Sequence, residues 1–325
     1  MAHYVVTGAA GFIGARTTEL LLEQGHAVLG VDNLNAAYDV RVKHHRLARL
    51  RDRQGFAFEE GDIADRALFE RPVLCERRVD AVLNLAARAG VRPSVDDPWS
   101  YLETNATGTL NCLEFCRRRD VRKFVLASTS SLYGARNPVP YTEDQDTGRP
   151  ISPYAASKGA AEAMAHAYHA LHGVDVSVLR YFTVYGPAGR PDMSVFRFTQ
   201  RIREGRPIVV YGDGSMSRDF TYVDDIARGT LAALRPLGFQ IVNLGSDHPY
   251  TVRELIALIE ERLGLEAEVE YRDSHPADVP TTWADIRKAE KLLDWRPEVP
   301  LLEGIARVVA WYEAERSWAR DVVVY

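Results

Sequence analysis

The hydrophobic positions in the first half of the chain fall into two alternating patterns. Short apolar runs predict strands, and the longer segments between them carry apolar residues at helical spacing. The predicted strands are Tyr4–Thr7, Ala27–Val31, Phe56–Glu60, Ala81–Leu85, Lys123–Ala127 and Val176–Arg180. Strands that alternate with helices are typical of a parallel sheet covered by helices on both faces. We therefore predict an α/β fold with a Rossmann-type, doubly wound parallel sheet.

The pattern changes in the second half of the chain. Glycine and proline become more frequent there, the apolar runs shorten, and helical spacing returns at Arg253–Leu263 and Leu302–Arg316. This change predicts a smaller mixed α/β domain at the carboxyl edge of the sheet. We expect the main sheet in residues 1–180 and the smaller domain mainly in residues 181–325. An apolar run within the segment near 221–247 predicts a strand that returns to the main sheet.

A glycine-rich segment, GAAGFIG, joins the first predicted strand to a helix. Gly8 and Gly11 let the backbone approach a pyrophosphate, which then lies at the positive end of the helix. Gly14 allows the helix to pack closely against the strand. A glycine motif between a strand and a helix predicts a dinucleotide site, and Phe12 and Ile13 are expected to border it.

An acidic residue, Asp32, ends the second predicted strand. A carboxylate at this position accepts hydrogen bonds from the adenosine ribose and repels a 2′-phosphate, so we expect NAD and not NADP. Arg41 and Lys43 follow and favour phosphate in principle, but we expect them on a solvated or phosphate-facing loop. The other cofactor contacts predicted at strand ends are Asn33, Asp62, Ile63, Leu85, Ala86 and Ala87.

A tyrosine and a lysine four positions apart, Tyr154 and Lys158, are predicted on one face of a helix. Ser152 suits the cap of that helix and Pro153 its first turn. An ammonium beside a phenol favours the phenolate, so we expect the pKa of Tyr154 to lie below its usual value of about 10. Such a tyrosine acts as a general base on a sugar hydroxyl. The hydroxyl side chains of 128–131 follow the fifth strand, where they either polarise the same substrate oxygen or cap the next helix.

Composition and charge exclude several classes of function. The chain has 325 residues, a net charge of −5 and a pI near 6.0, so it lacks the basic character of a nucleic-acid-binding protein. No apolar run approaches the length of a membrane span, and the first strand begins without an apolar leader, so we expect a cytoplasmic protein. The spacing of the three cysteines offers no metal site.

With these motifs, the chain resembles the extended short-chain dehydrogenase/reductases, and among them the NAD-dependent nucleotide-sugar epimerases and dehydratases. The resemblance extends from GAAGFIG to WADIRKAEKLLDWRP at 283–297. It implies that residues 1–180 form an NAD-binding domain and that 181–325 mainly bind a UDP-sugar. It also implies a catalytic triad of Thr129, Tyr154 and Lys158, with Ser130 as the alternative to Thr129.

The same resemblance implies further contacts and an assembly. Asn105 and Tyr181 are expected beside the cofactor, together with the side chains of Tyr154 and Lys158. The helices at 101–119 and 154–171 are expected to form the interface of a homodimer.

The residues after the catalytic threonine reduce the number of reactions that the family resemblance allows. Family members that remove water carry Asp-Glu at that place, where this chain has Ser130 and Ser131. Epimerisation at C4 or decarboxylation therefore remain. The pattern RYFTVYGPAGRPDM resembles that of UDP-glucuronate 4-epimerases, with Thr183 where UDP-glucose 4-epimerases usually have Asn. A uronic acid carries a carboxylate, and Arg190 offers the planar fork that binds one.

We therefore expect conversion of UDP-glucuronate to UDP-galacturonate by hydride transfer through a 4-keto intermediate. The alternatives are a UDP-glucose 4-epimerase, a UDP-glucuronate decarboxylase and a non-catalytic NAD-binding module, and retention of both Tyr154 and Lys158 disfavours the last. The other substrate contacts implied by the resemblance are Arg92, Ser130, Phe196, Tyr211, Arg218 and Asp278.

Overall fold

The computed structural model of the chain describes residues 1–274 and 278–324. The strands of these residues are β1 (His3–Thr7), β2 (Ala27–Asp32), β3 (Phe56–Glu60), β4 (Ala81–Asn84), β5 (Lys123–Thr129), β6 (Asp175–Tyr181), β7 (Thr183–Tyr185), β8 (Ile208–Tyr211), β9 (Ser217–Tyr222), β10 (Phe239–Leu244), β11 (Pro249–Thr251) and β12 (Val269–Arg272). The helices are α1 (Phe12–Glu23), α2 (Val40–Arg51), α3 (Pro72–Cys75), α4 (Pro93–Asp96), α5 (Pro98–Tyr101), α6 (Gly108–Arg118), α7 (Pro153–His172), α8 (Ser194–Arg203), α9 (Val223–Ala232), α10 (Val252–Leu263), α11 (Arg287–Leu293) and α12 (Leu301–Ala319).

Seven parallel strands form the main sheet in the order β10-β6-β5-β4-β1-β2-β3. The chain winds outward in one direction through β1, β2 and β3, and in the other through β4, β5, β6 and β10. The predicted doubly wound Rossmann-type sheet is therefore confirmed. Its strand order reverses between β1 and β4, where such sheets open a crevice for a ligand.

Apolar side chains are buried on both faces of the main sheet. Val5 and Val6 of β1 are neighbours and enter different clusters, because successive side chains of a strand point to opposite faces. The Val6 cluster includes Leu21 of α1 and Ile226 of α9, whereas the Val5 cluster includes Cys112 of α6. Helices therefore cover both faces, as the continuous apolar runs predict.

Two small sheets, β11-β9-β7 and β12-β8, lie in the second half of the chain. Their apolar residues pack with α8, α10 and α12 in a separate cluster that includes Phe198, Leu255 and Ile305. The predicted returning strand is β10, which pairs with β6. None of the helices in 1–274 and 278–324 combines the length and apolar character of a membrane span.

Candidate active site

The glycine-rich loop between β1 and α1 packs tightly against its neighbours. Gly8 has a φ of 71°, and a β carbon there would lie 2.7 Å from the amide nitrogen of Ala86. A β carbon on Gly14 would lie 2.0 Å from the carbonyl oxygen of Gly8. The N-cap of α1 is Gly11, which has no side chain to cap the first turn. The amides at the start of this helix therefore suit an anion.

Asp32 occupies the carboxyl end of β2, beside this loop. Its carboxylate accepts hydrogen bonds from the amides of Ala10 at 3.2 Å and Leu34 at 2.9 Å. The Lys43 ammonium lies 3.3 Å from the same carboxylate. The expectation of a solvated loop is wrong for Lys43, because the residue belongs to α2 and is buried against Asp32. Arg41 is exposed on the same helix.

The other predicted cofactor residues at strand ends lie nearby. Asn33 donates to the carboxylate of Asp62 at 2.8 Å, so the ends of β2 and β3 are joined by side chains. Ile63 is buried, and its side chain fills the space left by Gly108 at the start of α6. After β4, Leu85 and Ala86 are half-buried and Ala87 is exposed.

Tyr154 lies in the first turn of α7, as its sequence context predicts. The Ser152 side chain caps the helix by accepting the Ala155 amide at 3.1 Å. Thr129, at the end of β5, is near enough to the Tyr154 hydroxyl to lower its pKa, and the Tyr154 ring packs edge-on against Tyr101. Two of the three predicted catalytic side chains therefore lie in one site.

The expected lowering of the Tyr154 pKa is wrong for the protein's own residues. Burial raises the pKa of Tyr154, and the opposing effects of Thr129 and Arg190 are smaller. The physical reason is the lost hydration of the phenolate, which exceeds the stabilisation that these neighbours provide. Lys158 does not contribute to the shift.

Lys158 is itself strongly affected by its surroundings. Its side chain is 2% exposed, and burial lowers its pKa to about 8, against the charge of Glu162. Glu162 receives two hydrogen bonds from the Arg180 guanidinium, at 3.0 and 2.8 Å, and one from Ser128 at 2.5 Å. Because Arg180 already neutralises Glu162, that carboxylate compensates the buried ammonium only in part.

Asn105 lies in a π-helical turn, Leu102–Thr107, just before α6. Its side-chain amide donates to the Ser157 hydroxyl and to the Arg88 carbonyl, both at 2.9 Å. Ser157 in turn donates to the Tyr154 carbonyl at 2.8 Å. Asn105 therefore joins the loop after β4 to the helix that carries Tyr154, and its cofactor contact stays a prediction.

The rings of two predicted site residues are buried in the hydrophobic core. The Tyr181 ring packs in the core, and its hydroxyl is hydrogen-bonded to Thr230 at 2.8 Å. Phe196 is buried, and its ring packs against Trp311 and Tyr312. Residues at these positions satisfy the apolar pattern of β6 and α8, which explains why motif position alone did not reveal their packing.

Several predicted substrate residues come together from distant parts of the chain. Arg92 pairs with Asp278 at 2.5 Å, and its guanidinium lies 3.6 Å from the centre of the Tyr211 ring. Arg218 is close enough to Asp278 for that carboxylate to oppose the effect of burial, which lowers the pKa of Arg218. This group offers cations, a carboxylate and an aromatic face, the chemistry that suits a nucleoside diphosphate.

Thr183 and Arg190 line one narrow cleft. Arg190 donates to Asp192 from Nε at 3.0 Å and from Nη2 at 2.5 Å, and Nη2 also donates to the Ala89 carbonyl at 3.1 Å. The Ala89 carbonyl also accepts from the Tyr101 hydroxyl at 3.2 Å, and the Tyr101 ring packs against Tyr154, so Arg190 lies near Tyr154 and its charge lowers the pKa of that residue. Ser130 begins the short helical turn that follows β5.

Known proteins match this arrangement over most of the chain. The model of the NAD dependent epimerase/dehydratase family matches residues 4–245. The chain belongs to this family. A relative from Thermodesulfobacterium geofontis, named UDP-glucuronate 4-epimerase, is 52% identical over 329 residues and covers 100% of both chains.

Solved structures of family members agree with the fold. UDP-glucuronic acid 4-epimerase from Bacillus cereus, in complex with UDP-glucuronic acid and NAD, is 35% identical with a TM-score of 0.90, over 96% of this chain and 99% of that one. UDP-glucose 4-epimerase from Thermotoga maritima, with UDP-glucose, is 34% identical with a TM-score of 0.89, over 97% and 99%. The expectation of an NAD-dependent nucleotide-sugar epimerase family is confirmed.

The residues present fit the cofactor of the family. The uncapped first turn of α1 suits a pyrophosphate, and the Asp32 carboxylate suits a ribose. Lys158 follows the predicted base Tyr154 by four positions on α7. The individual cofactor contacts stay predictions.

Sequence reasoning missed Tyr38, Arg46 and Asp192, and it misplaced Lys43. The Tyr38 ring is buried and has three cations around it. The distances from the ring centre are 5.6 Å to the Lys43 ammonium, 5.6 Å to the Arg46 guanidinium carbon and 5.8 Å to the Arg190 guanidinium carbon. A signal for Arg46 was present, because it lies four positions from both Val42 and Leu50 on the apolar face of α2.

Proposed function

We propose that this protein catalyses the NAD-dependent 4-epimerisation of UDP-glucuronate to UDP-galacturonate. The observation that carries the proposal is the short chain of contacts between Arg190 and Tyr154: Arg190 and Tyr101 both donate to the Ala89 carbonyl, at 3.1 and 3.2 Å, and the Tyr101 ring lies 6.0 Å from the Tyr154 ring. In a uronic acid, the carbon that bears the carboxylate is bonded to C4. A base for the C4 hydroxyl and a cation for the carboxylate must therefore be neighbours.

The chain's own residues supply proton transfer and orientation. Tyr154 takes the proton from the C4 hydroxyl and later returns it, while Thr129 holds the phenol by a hydrogen bond. NAD, when bound, supplies the reversible hydride chemistry that amino-acid side chains lack. Arg92, Arg218 and Asp278 bind the UDP part and keep it in place while the sugar presents either face.

Orientation of the carboxylate separates epimerisation from decarboxylation. Oxidation at C4 makes the sugar a β-keto acid, which loses CO₂ when the breaking bond aligns with the ketone π system. Arg190 is itself held by Asp192 and Ala89, and Thr183 lines the same cleft. We assign to Thr183 and Arg190 the role of holding the carboxylate out of that alignment.

The test is incubation of the purified protein with UDP-glucuronate and NAD⁺, followed by chromatography and mass spectrometry. A product of equal mass that co-elutes with UDP-galacturonate is expected, and the Tyr154→Phe variant is the control. A product lighter by CO₂ would identify a decarboxylase instead. Turnover of UDP-glucose alone would reject the assignment of Thr183 and Arg190.

We also propose a homodimer formed by α7 and the helical segment that ends with α6. Trp99 is 72% exposed and Leu171 is 75% exposed, and Leu102 and Met164 are exposed as well. Sedimentation analysis tests this assembly.

The free, buried thiols of Cys112 and Cys116 suit the reducing cytoplasm, where we propose that the protein acts.

A further inference from the structure

Arg46 is a buried arginine whose N–H groups all point at neutral oxygen atoms. It is 4% exposed. Its Nε and Nη2 donate to the Ala188 carbonyl at 2.9 and 2.7 Å, and Nη2 donates to the Gly189 carbonyl at 3.0 Å. Its Nη1 donates to the Ala10 carbonyl at 3.3 Å and to the Tyr38 hydroxyl at 2.7 Å. One guanidinium therefore joins the glycine-rich loop to the turn that precedes Arg190.

The charge of Arg46 has aromatic rings and dipoles around it. Its guanidinium carbon lies 5.5 Å from the centre of the Phe12 ring and 5.6 Å from that of Tyr38. Among the hydrogen bonds and ion pairs of the residues described, none joins Arg46 to a carboxylate. A buried cation without an anion is costly, and Arg46 offsets that cost by bonding to the carbonyls of Ala10, Ala188 and Gly189, which an apolar side chain could not do. The arginine at this position therefore holds separate backbone segments together.

The turn that Arg46 holds has an unfavourable backbone. Ala188 has a φ of 50°, in the left-handed region that residues with a β carbon rarely adopt. Such a conformation persists only when the surroundings fix it, and here Arg46 makes three hydrogen bonds to the carbonyls of Ala188 and Gly189. Arg190 follows directly in the chain, so the conformation of this turn determines the position and direction from which the Arg190 side chain extends.

We infer that Arg46 is a positioning residue that fixes the Ala188–Gly189 turn and thereby aims Arg190 at the carboxylate of the substrate. The inference rests on the proposed function, because it assumes that Arg190 binds a uronic acid. Arg46 has no contact with the substrate itself in this scheme. Its effect reaches the sugar through Arg190, so it acts on recognition of the carboxylate and not on recognition of the UDP part.

The experiment compares the binding of UDP-glucuronate and UDP-glucose by calorimetry, at saturating NAD⁺, in the wild-type protein and three variants. Arg46→Met removes the donors and keeps the apolar stem. Arg46→Lys keeps the positive charge but loses the planar guanidinium and its arrangement of five N–H donors. Arg49→Met is the matched control, because Arg49 lies on the same helix, is exposed and pairs with Glu19 at 3.1 Å.

Arg46→Met is expected to weaken binding of UDP-glucuronate about tenfold, the scale of one charge-assisted hydrogen bond, and to leave UDP-glucose within about twofold. Arg46→Lys is expected to show a smaller loss of the same selectivity, and Arg49→Met none. If Arg46→Met fails to fold, as thermal denaturation would show, the lysine variant decides the question alone.

Equal losses for the two sugars, or no loss for either, would overturn the inference and leave only a structural role for Arg46. A wild-type protein that binds UDP-glucose as tightly as UDP-glucuronate would instead reject the proposed function, before any variant is compared.

Discussion

On the cofactor side of the active site, Asp32 and Asn33 bond to side chains close in the chain, whereas on the sugar side Arg92 and Arg190 also bond to residues more than a hundred positions away. Asp32 and Lys43 are 11 residues apart, and Asn33 and Asp62 are 29 apart. By contrast, Arg92 and Asp278 are separated by 186 residues. Arg46 joins the two sides, because it bonds to Ala10 of the glycine-rich loop and, across 142 positions, to Ala188.

This difference shows how the two sides depend on the fold. The part of the cofactor side that includes the glycine-rich loop, Asp32 and Asp62 forms when β1, β2 and β3 pair, because these residues lie directly after those strands. The sugar side exists only when the loop after β4, the end of β8, the start of β9 and the segment after β12 are brought to one place. Changes on one side should therefore leave binding on the other side intact, and four variants test that separation.

Tyr154→Phe lies where the two sides meet and has the largest expected effect. Loss of the phenolic hydroxyl should lower the epimerisation rate about 10³-fold, the usual scale of general acid–base catalysis. Binding of NAD and of UDP-glucuronate should each change less than about threefold, because one hydroxyl contributes little to affinity. Steady-state kinetics and calorimetry provide both values, and a rate within tenfold of wild type would remove Tyr154 from the role of base.

Lys158→Met tests the cost of a buried charge between the two sides. Because burial lowers the pKa of Lys158 from 10.5 to about 8, the unfolded state binds more protons between these pH values. The contribution of Lys158 to the free energy of unfolding therefore rises with pH between these two values. Below pH 8, the buried charge destabilises the folded state by the full amount of about 3 kcal/mol. The variant should be more stable than wild type at pH 7, with the gain shrinking above pH 8.

Urea denaturation at pH 7 and pH 9.5 checks this expectation for the lysine. Epimerisation should be lost at both pH values, which separates the catalytic contribution of the ammonium from its cost to folding. A variant less stable than wild type at pH 7 would contradict the stated pKa direction.

Asp32→Asn is expected to weaken cofactor binding without affecting the sugar side. The amide retains an oxygen for the Ala10 amide but lacks the charge that favours ribose hydroxyls, and it leaves Lys43 without its anion. Binding of NAD should weaken about 30-fold, near the 2 kcal/mol typical of a charged hydrogen bond. Calorimetry should show unchanged UDP affinity, with Asp65→Asn as an exposed control. Parallel losses of both ligands would show that the two sides are coupled.

Arg92→Leu breaks the sugar side alone and has the smallest expected effect. The pair with Asp278 is partly exposed, which limits its contribution, so UDP-glucuronate binding should weaken about fivefold. NAD binding should be unchanged. In a double-mutant cycle with Asp278→Asn, the second change should add little to the first. Full additivity would mean that the two side chains act independently.

The sequence by itself determined the architecture and the cofactor side. Apolar runs at alternating strand and helix spacing are local, so they predicted β1 to β6 and the return of β10 without knowledge of packing. The glycine loop, Asp32 and the Tyr154–Lys158 spacing are also local, and each acts within one element or directly after one strand. Family resemblance added the distant sugar residues, and the structure brings Arg92, Tyr211 and Asp278 together.

Only the tertiary structure decided which polar groups are buried and against what. Lys43 was expected on a solvated or phosphate-facing loop and is instead buried against Asp32, and Arg46 holds a turn 142 positions away. The direction of the Tyr154 pKa was also decided there, because the cost of dehydrating a phenolate depends on every element packed around it. Burial arises from contacts between segments far apart in the chain, and the spacing of residues along one segment does not predict these contacts.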